Sequence, residues 1–188
     1  ITEMNTDQEL VRLVERGDLD LTFADFRLWD GPFEWLHLLA DPYVLLAPIG
    51  SEPARSTRPI RPREIARLPL IGYRRADEGV EAFLRSRGLE PDIVFRSDEG
   101  GIVQGLVGAG IGYAVVPLLG VGESDEVAVL GVTGVPPRLI TIAWHADRTP
   151  SPAARAFVEI VTGIGAEIAA GYPHGMSDHS PTPARRRP

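Results

Sequence analysis

The sequence predicts an α/β fold made of two similar lobes, and two stretches carry the prediction. The first, residues 92–118, reads DIVFRSDEGGIVQGLVGAGIGYAVVPL. Ile93, Val94 and Phe95 form a short apolar run rich in strand formers, which breaks at Arg96, Ser97, Asp98 and Glu99. Ile102, Val103, Leu106 and Val107 follow at helical spacing, Gly108 and Gly110 end that helix, and Ile111 to Val116 form a second apolar run closed by Pro117. The order is strand, helix, parallel strand. A parallel pair buried on both faces requires such a crossover, and in open sheets of this kind ligands sit at the carboxyl ends of the strands. Those ends are Arg96 to Glu99 and Pro117 to Leu119. The second stretch, Leu10 to Asp25, reads LVRLVERGDLDLTFAD and repeats the phrase, with Leu13, Val14 and Gly17 aligning on Leu106, Val107 and Gly110 without a gap.

At 188 residues the chain is one domain or two small lobes, long enough to bury a core. Its net charge of −7 argues against a nucleic-acid surface in the folded part. Cysteine is absent, which removes disulfides, thiolate nucleophiles and cysteine metal sites. Lysine is absent too, and with abundant Ala, Gly, Pro and Val this speaks of GC-rich codon usage rather than of function. No apolar run approaches the roughly 20 residues that span a bilayer, and no signal peptide is visible. Ile1 to Met4 reads as the end of a strand with nothing before it, so the chain is expected to be the C-terminal part of something longer.

Thr6 and Glu9 form a capping box for a helix that Gly17 ends. Leu19, Leu21 and Phe23 then alternate as a strand ending at Asp25. Asp30, Gly31 and Pro32 make a turn before an extended segment, Phe33 to Ala47, interrupted at Asp41 and Pro42. A Pro, Ser and Arg-rich loop (residues 48–62) leads to a short helix over residues 62–67 and a strand over 70–73, whose end carries Arg74, Arg75 and Asp77. Val80, Phe83 and Leu84 line one face of a helix stopped at Gly88. Past residue 118, strands are predicted at Val127 to Val132 and Leu139 to Trp144. Ser151 caps a last helix with Pro152 at its first position, and Phe157, Ile160, Val161, Ile164 and Ile168 are predicted to line its buried face. Residues 172–188 hold too few apolar residues to pack and are expected to be disordered.

The glycines of GLVGAGIG close a helix and enter a strand, the reverse of the dinucleotide fingerprint, which opens a helix after a strand. Their reading is close helix-strand packing. His145 and Asp147 are two ligands at a strand end, short of a metal site. Ser97 beside Asp98 matches no nucleophile motif, and no enzyme, cofactor or metal is expected. The strand ends instead collect polar groups and caps: Thr6, Asp25, Tyr73 to Asp77, Ser97 to Glu99, and Pro117 to Leu119. Free amides at helix N-termini favour an anionic or polar small ligand, with Arg74, Arg75 or Arg96 assisting.

The phrases LVERGDLDLTFAD, DPYVLLAP, FLRSRGLEPDIVFRSDEGGIVQGLVGAGIGYAVVP and SPAARAFVEIV resemble the effector-binding domain of LysR-type transcriptional regulators, over about residues 1–168. The resemblance implies a two-lobed, type 2 periplasmic binding protein-like α/β fold whose interlobe cleft binds a small metabolite. Lobe one would comprise residues 1–47 and 138–171, and lobe two residues 48–137. Carried over by position, Thr6 and Asp25 would line the cleft from lobe one, and Tyr73, Arg74, Ser97, Asp98, Pro117 and Leu118 from lobe two. The family's N-terminal winged helix-turn-helix and the first strand and helix of lobe one have no counterpart here. DNA would therefore be met only through that missing N-terminal part. The resemblance further implies a cytoplasmic homodimer or homotetramer without membrane contact, with the helix over residues 7–16 contributing to self-association. A solute-binding protein of the same fold, serving a transporter, is the alternative.

Overall fold

The computed structural model describes residues 7–24, 31–73 and 79–172. Its elements are α1 (Asp7–Arg16), β1 (Leu21–Ala24), β2 (Phe33–Asp41), β3 (Tyr43–Pro48), α2 (Pro62–Ile65), β4 (Pro69–Tyr73), α3 (Gly79–Ser86), β5 (Asp92–Ser97), α4 (Gly100–Gly108), β6 (Ala114–Pro117), β7 (Val127–Gly131), β8 (Arg138–His145) and α5 (Pro152–Gly171). Contacts divide the chain into two units: residues 1–40 with 139–188, and residues 41–138. The first boundary falls seven residues before the one expected from sequence. The apolar run after Asp41 and Pro42, β3, is a central strand of the second unit.

In the first unit, β8 lies between β1 and β2, and β1 pairs antiparallel with it, Leu21 opposite Trp144 and Phe23 opposite Ile142. The amphipathic α1 turns Val11 and Val14 into a core with Phe33 and Ala143, so the apolar side of this helix is used within its own unit. Gly17, at φ +87°, lets the chain leave α1 while Gly17 N–H and Asp18 N–H both bond the Leu13 carbonyl. The Arg148 guanidinium completes this end, donating to the Val14 and Glu15 carbonyls at 2.7 Å each.

Ser151 caps α5 as expected, its Oγ accepting Ala154 N–H at 3.1 Å. The buried face of α5 is another matter. Ala154 and Gly165 are the buried positions, Val161 and Ile168 are half-buried, and Phe157, Ile160 and Ile164 are exposed. Small residues bring the helix backbone close to β2, so that a Cβ on Gly165 would stand 2.9 Å from the Leu38 carbonyl oxygen. The large residues are pushed to the flank, where Phe157 meets Phe23 edge-on at 6.0 Å.

In the second unit β3 pairs antiparallel with β6 and β7, and β4 pairs parallel with β5. The two sheets are one. Ile71 N–H donates to the Tyr113 carbonyl and Tyr113 N–H to that of Pro69, in a parallel bridge that extends the order to β5-β4-β6-β3-β7. The strand, helix and strand expected at residues 92–118 are present as β5, α4 and β6, but β4 stands between the two strands. β5 is accordingly an edge strand and not one buried on both faces, with Val94 and Phe95 each 48% exposed. The core gathers Leu45, Ile65, Leu70, Val80, Leu84 and Leu130 around the sheet.

Of the GLVGAGIG glycines, Gly108 and Gly112 allow close packing, while Gly105 and Gly110 would have nothing within 4 Å of a Cβ. Gly110 ends α4 at φ +76°, and a Cβ on Gly112 would lie 2.7 Å from the Pro69 carbonyl oxygen. Among the described residues no helix is long and apolar enough to cross a membrane. The expected disordered tail lies, past Tyr172, outside the described residues.

Candidate functional site

Three parallel strands of the second unit end on one side: β4 at Tyr73, β5 at Ser97 and β6 at Pro117. A pocket opens among these ends. Its walls are Leu46 from β3, Tyr73 from β4, Val116 and Pro117 from β6, Gly100 and Gln104 from α4, Gly120 from the 3-10 turn after β6, and Arg138 at the start of β8. Its volume of about 30 Å³ accommodates a water or two, or one small functional group, since a water needs roughly 10–15 Å³ on this measure.

The turn after β6 is held from three directions. Leu118 N–H donates to the Pro42 carbonyl at 2.8 Å, and Leu119 N–H donates to Asp41 Oδ1 at 2.9 Å. Further on, the Gln104 side chain clamps Gly122 from both sides: Nε2 donates to the Gly122 carbonyl at 2.8 Å, and Oε1 accepts Gly122 N–H at 3.0 Å. The second oxygen of Asp41 accepts from Arg138 Nη2 at 2.7 Å. Asp41 is fully buried, and a buried carboxylate is tolerable only when its charge and lone pairs are met. Arg138 retains a donor that is not met: its Nε is closed to solvent and has no hydrogen-bond partner.

The structure brings together two of the residues singled out from sequence, Tyr73 and Pro117. Ser97 is not among the lining residues. Its Oγ accepts Glu99 N–H at 3.2 Å, closing a turn, while the N-cap of α4 is Glu99, so Ser97 is not the helix cap. Asp98 is exposed, and Leu118 opens the 3-10 turn. Thr6, Asp25, Arg74 and Arg75 lie outside the described residues. Arg96 is engaged in structure: its guanidinium grips the buried Glu81 of α3 at 2.7 and 2.9 Å, and that hydrogen-bonded pairing raises its pKa further. The pair lies flat over Gly72, whose Cβ would come within 2.8 Å of both side chains. His145 Nδ1 accepts Asp147 N–H at 3.2 Å and the ring meets Phe33 edge-on, a packing role. Among the described residues no group of three His, Asp or Glu is placed to hold a metal.

Sequence reasoning missed Arg138, Gln104, Gly100 and Gly120. A signal for Arg138 existed in Asp41, an acid inside the apolar run LHLLADPYVLLAP, which requires a partner.

The unit has a mixed α/β sheet of the open class, with a small pocket at the ends of its parallel strands. Residues 1–164 match the family described as LysR substrate binding domain, and the chain belongs to that family. Two bacterial regulators are similar in sequence. The HTH-type transcriptional regulator cbl of Escherichia coli (strain K12) is 30% identical over 132 residues, 64% of this chain and 39% of that protein. The uncharacterized HTH-type transcriptional regulator YybE of Bacillus subtilis (strain 168) is 26% identical over 163 residues, 85% of this chain and 56% of that protein. The chain therefore spans about half or less of the regulators' length. Among solved structures, the BenM effector binding domain with its effector benzoate superposes with a TM-score of 0.74 at 16% identity, covering 95% of this chain and 83% of that one. The LysR family regulator HinK from Pseudomonas aeruginosa does so with a TM-score of 0.75 at 22% identity, covering 88% and 60%. Likeness at such identity shows the fold, the two-lobed type 2 periplasmic binding protein-like class expected from sequence.

Proposed function

We propose that this chain is the ligand-sensing regulatory domain of a LysR-type transcription factor, with the pocket at the strand ends of residues 41–138 taking part of a small metabolite. The observation that carries the reading is the convergence of Tyr73, Pro117, Gly100 and Arg138 on one pocket in a chain of this family. Related folds have been solved with shikimate, with benzoate and with 2-PG, which supports a small metabolite as the effector class. The sequence relatives are transcription regulators, which favours this reading over a transporter's solute-binding protein or an enzyme. Such a regulator works in the cytoplasm, where its DNA is. With a net charge of −7, this chain leaves duplex contact to another part of the protein.

Self-association belongs to the same proposal. The exposed edge β5, with Val94 and Phe95 half out of the sheet, is suited to a second copy. Sedimentation of the natural protein tests it, and a strictly monomeric species at tens of micromolar would refute it.

The ligand-sensing reading is tested by a thermal-shift screen of metabolites on the natural protein. A true effector present at about 100 times its Kd stabilises the native state by about 2.7 kcal/mol. Substitution of Tyr73 by Ala should then weaken that effector, and undiminished affinity in this variant would remove the pocket from the account.

A further inference from the structure

Asp41 is fully buried, and its one carboxylate joins places far apart in the chain. Oδ1 accepts Leu119 N–H at 2.9 Å across 78 positions, and Oδ2 accepts from Arg138 Nη2 at 2.7 Å across 97. Asp41 and Arg138 are the residues at which the chain enters and leaves the unit of residues 41–138. The carboxylate therefore ties entry and exit to each other and to the turn after β6. That turn is held at its other end by α4, where Gln104 clamps Gly122 from both sides. Between the two anchors Val121 N–H returns to the Leu118 carbonyl, and Gly120 lines the pocket together with Gln104. Residues 118–122 are thus a short bridge with one end on α4 and the other on Asp41.

The anchor at Asp41 is built to transmit movement. The two oxygens of a carboxylate share one rigid plane, so Asp41 cannot follow a displaced Leu119 amide without turning Oδ2 away from Arg138. Solvent does not reach the carboxylate to replace a lost bond, which makes such a loss costly. On the other side of the clasp, Arg138 Nε is closed to solvent and without a partner. An unmet buried donor is a cost that the clasped arrangement bears and a turned guanidinium need not. The clasp therefore has two arrangements open to it, and the seat of Leu119 decides between them.

We propose that Asp41 is a positioning residue that couples the turn over residues 118–122 to the entry and exit points of its unit. With the turn seated, the clasp between Asp41 and Arg138 is closed; with the turn lifted, it opens. An occupant larger than the 30 Å³ of the pocket must displace part of the wall, and Gly120 lies on the turn. This last step rests on the ligand-sensing reading, whereas the coupling itself requires no ligand. It is a physical linkage between two sites through one group with two arrangements, and reciprocal as such linkages are.

The test is hydrogen exchange followed by 15N NMR on the natural protein without ligand. Arg138 Hε, shut off from solvent, exchanges only when the clasp opens, and its resonance is assigned by its loss in Arg138→Lys. Gln104→Ala frees Gly122 without touching Asp41. It should speed exchange at Leu119 N–H about fivefold, the worth of one ordinary hydrogen bond, and carry Arg138 Hε with it. Ile71 N–H, bonded to the Tyr113 carbonyl within the sheet, should keep its wild-type rate. Asp41→Asn retains an acceptor for Leu119 but presents an amide donor to Arg138. In that background Hε should exchange faster from the outset and gain nothing further from Gln104→Ala. The proposal is overturned if Gln104→Ala leaves Arg138 Hε at its wild-type rate, or if Ile71 N–H accelerates as much, which would mean a general loss of stability. It is overturned equally if Arg138 Hε responds to Gln104→Ala in Asp41→Asn as it does in wild type. Should Asp41→Asn fail to fold, Gln104→Ala alone decides through the first two results. Failed coupling leaves the ligand-sensing reading standing, because no ligand is present, and failure of that reading in the metabolite screen leaves the coupling intact.

Discussion

Replacing Arg138 by Met removes the cation that faces the fully buried Asp41 while keeping most of the apolar volume. Breaking a buried ion pair by deleting one partner costs about 3–5 kcal/mol, because an uncompensated charge is left inside. Here the lower end applies, since the Arg138 side chain is 24% exposed and Leu119 N–H still serves Asp41. The converse change, Asp41→Asn, leaves its unpaired charge on the partly solvated Arg138. It should cost less, about 1.5–3 kcal/mol for the lost charge-assisted hydrogen bond. The double variant should be less destabilised than the sum of the two, because neither leaves the other's charge stranded. For a chain of this size each kcal/mol moves Tm by about 2–4 °C, so Arg138→Met should melt about 6–12 °C low. Calorimetric or circular-dichroism melts of the four proteins complete the cycle. Strictly additive effects, or Asp41→Asn more harmful than Arg138→Met, would refute the claim that the pair is coupled and that Asp41 is the desolvated partner.

Other expectations concern local devices. Ser151→Ala, which deprives Ala154 N–H of its acceptor, should lower stability by about 0.5–2 kcal/mol in denaturant titration. Gly165→Ala gains roughly 1 kcal/mol of helix propensity but drives a Cβ to 2.9 Å from the Leu38 carbonyl oxygen, and overpacking at about 1–3 kcal/mol should make the variant less stable. A stabilised variant would show that α5 can slide on β2 without loss. Glu64, gripped by Arg58 at 2.6 Å and by Arg61 N–H, is held at a pKa of about 2, below its ordinary 4.5. Because the folded value is depressed, its contribution to stability is present above about pH 4.5 and is lost as pH falls toward 2. Side-chain NMR titration should place Glu64 near that value, and Arg58→Gln should return it toward the ordinary one.

Features set by neighbours in the chain were legible in the sequence. Gly17, Gly110 and Ser151 mark helix ends because capping acts over a few residues, and the polarity of GLVGAGIG argues against a phosphate cradle for the same reason. What depends on distant pairing was not. The edge position of β5 follows from β4 inserting between it and β6, which periodicity does not encode. The buried face of α5 follows from Gly165 meeting Leu38, so the smallest residues and not the largest mark it. The site divided in the same way. Tyr73 and Pro117, which line the pocket, could be singled out because they end strands, whereas Arg138 meets Asp41 across 97 positions and was visible only as an isolated acid in an apolar run.

The central claim is that a small metabolite binds at the strand ends of residues 41–138. The measurement that tests it most directly is an amide chemical-shift map of the 15N-labelled protein, titrated with the effector that the thermal-shift screen selects. The perturbed amides should include a cluster over residues 97–104 and 117–122, with Tyr73 and Arg138 among them, and the cluster should be lost in Tyr73→Ala. A saturating effector whose perturbations fall along α5 or β5, with residues 97–104 and 117–122 unmoved, would contradict the account.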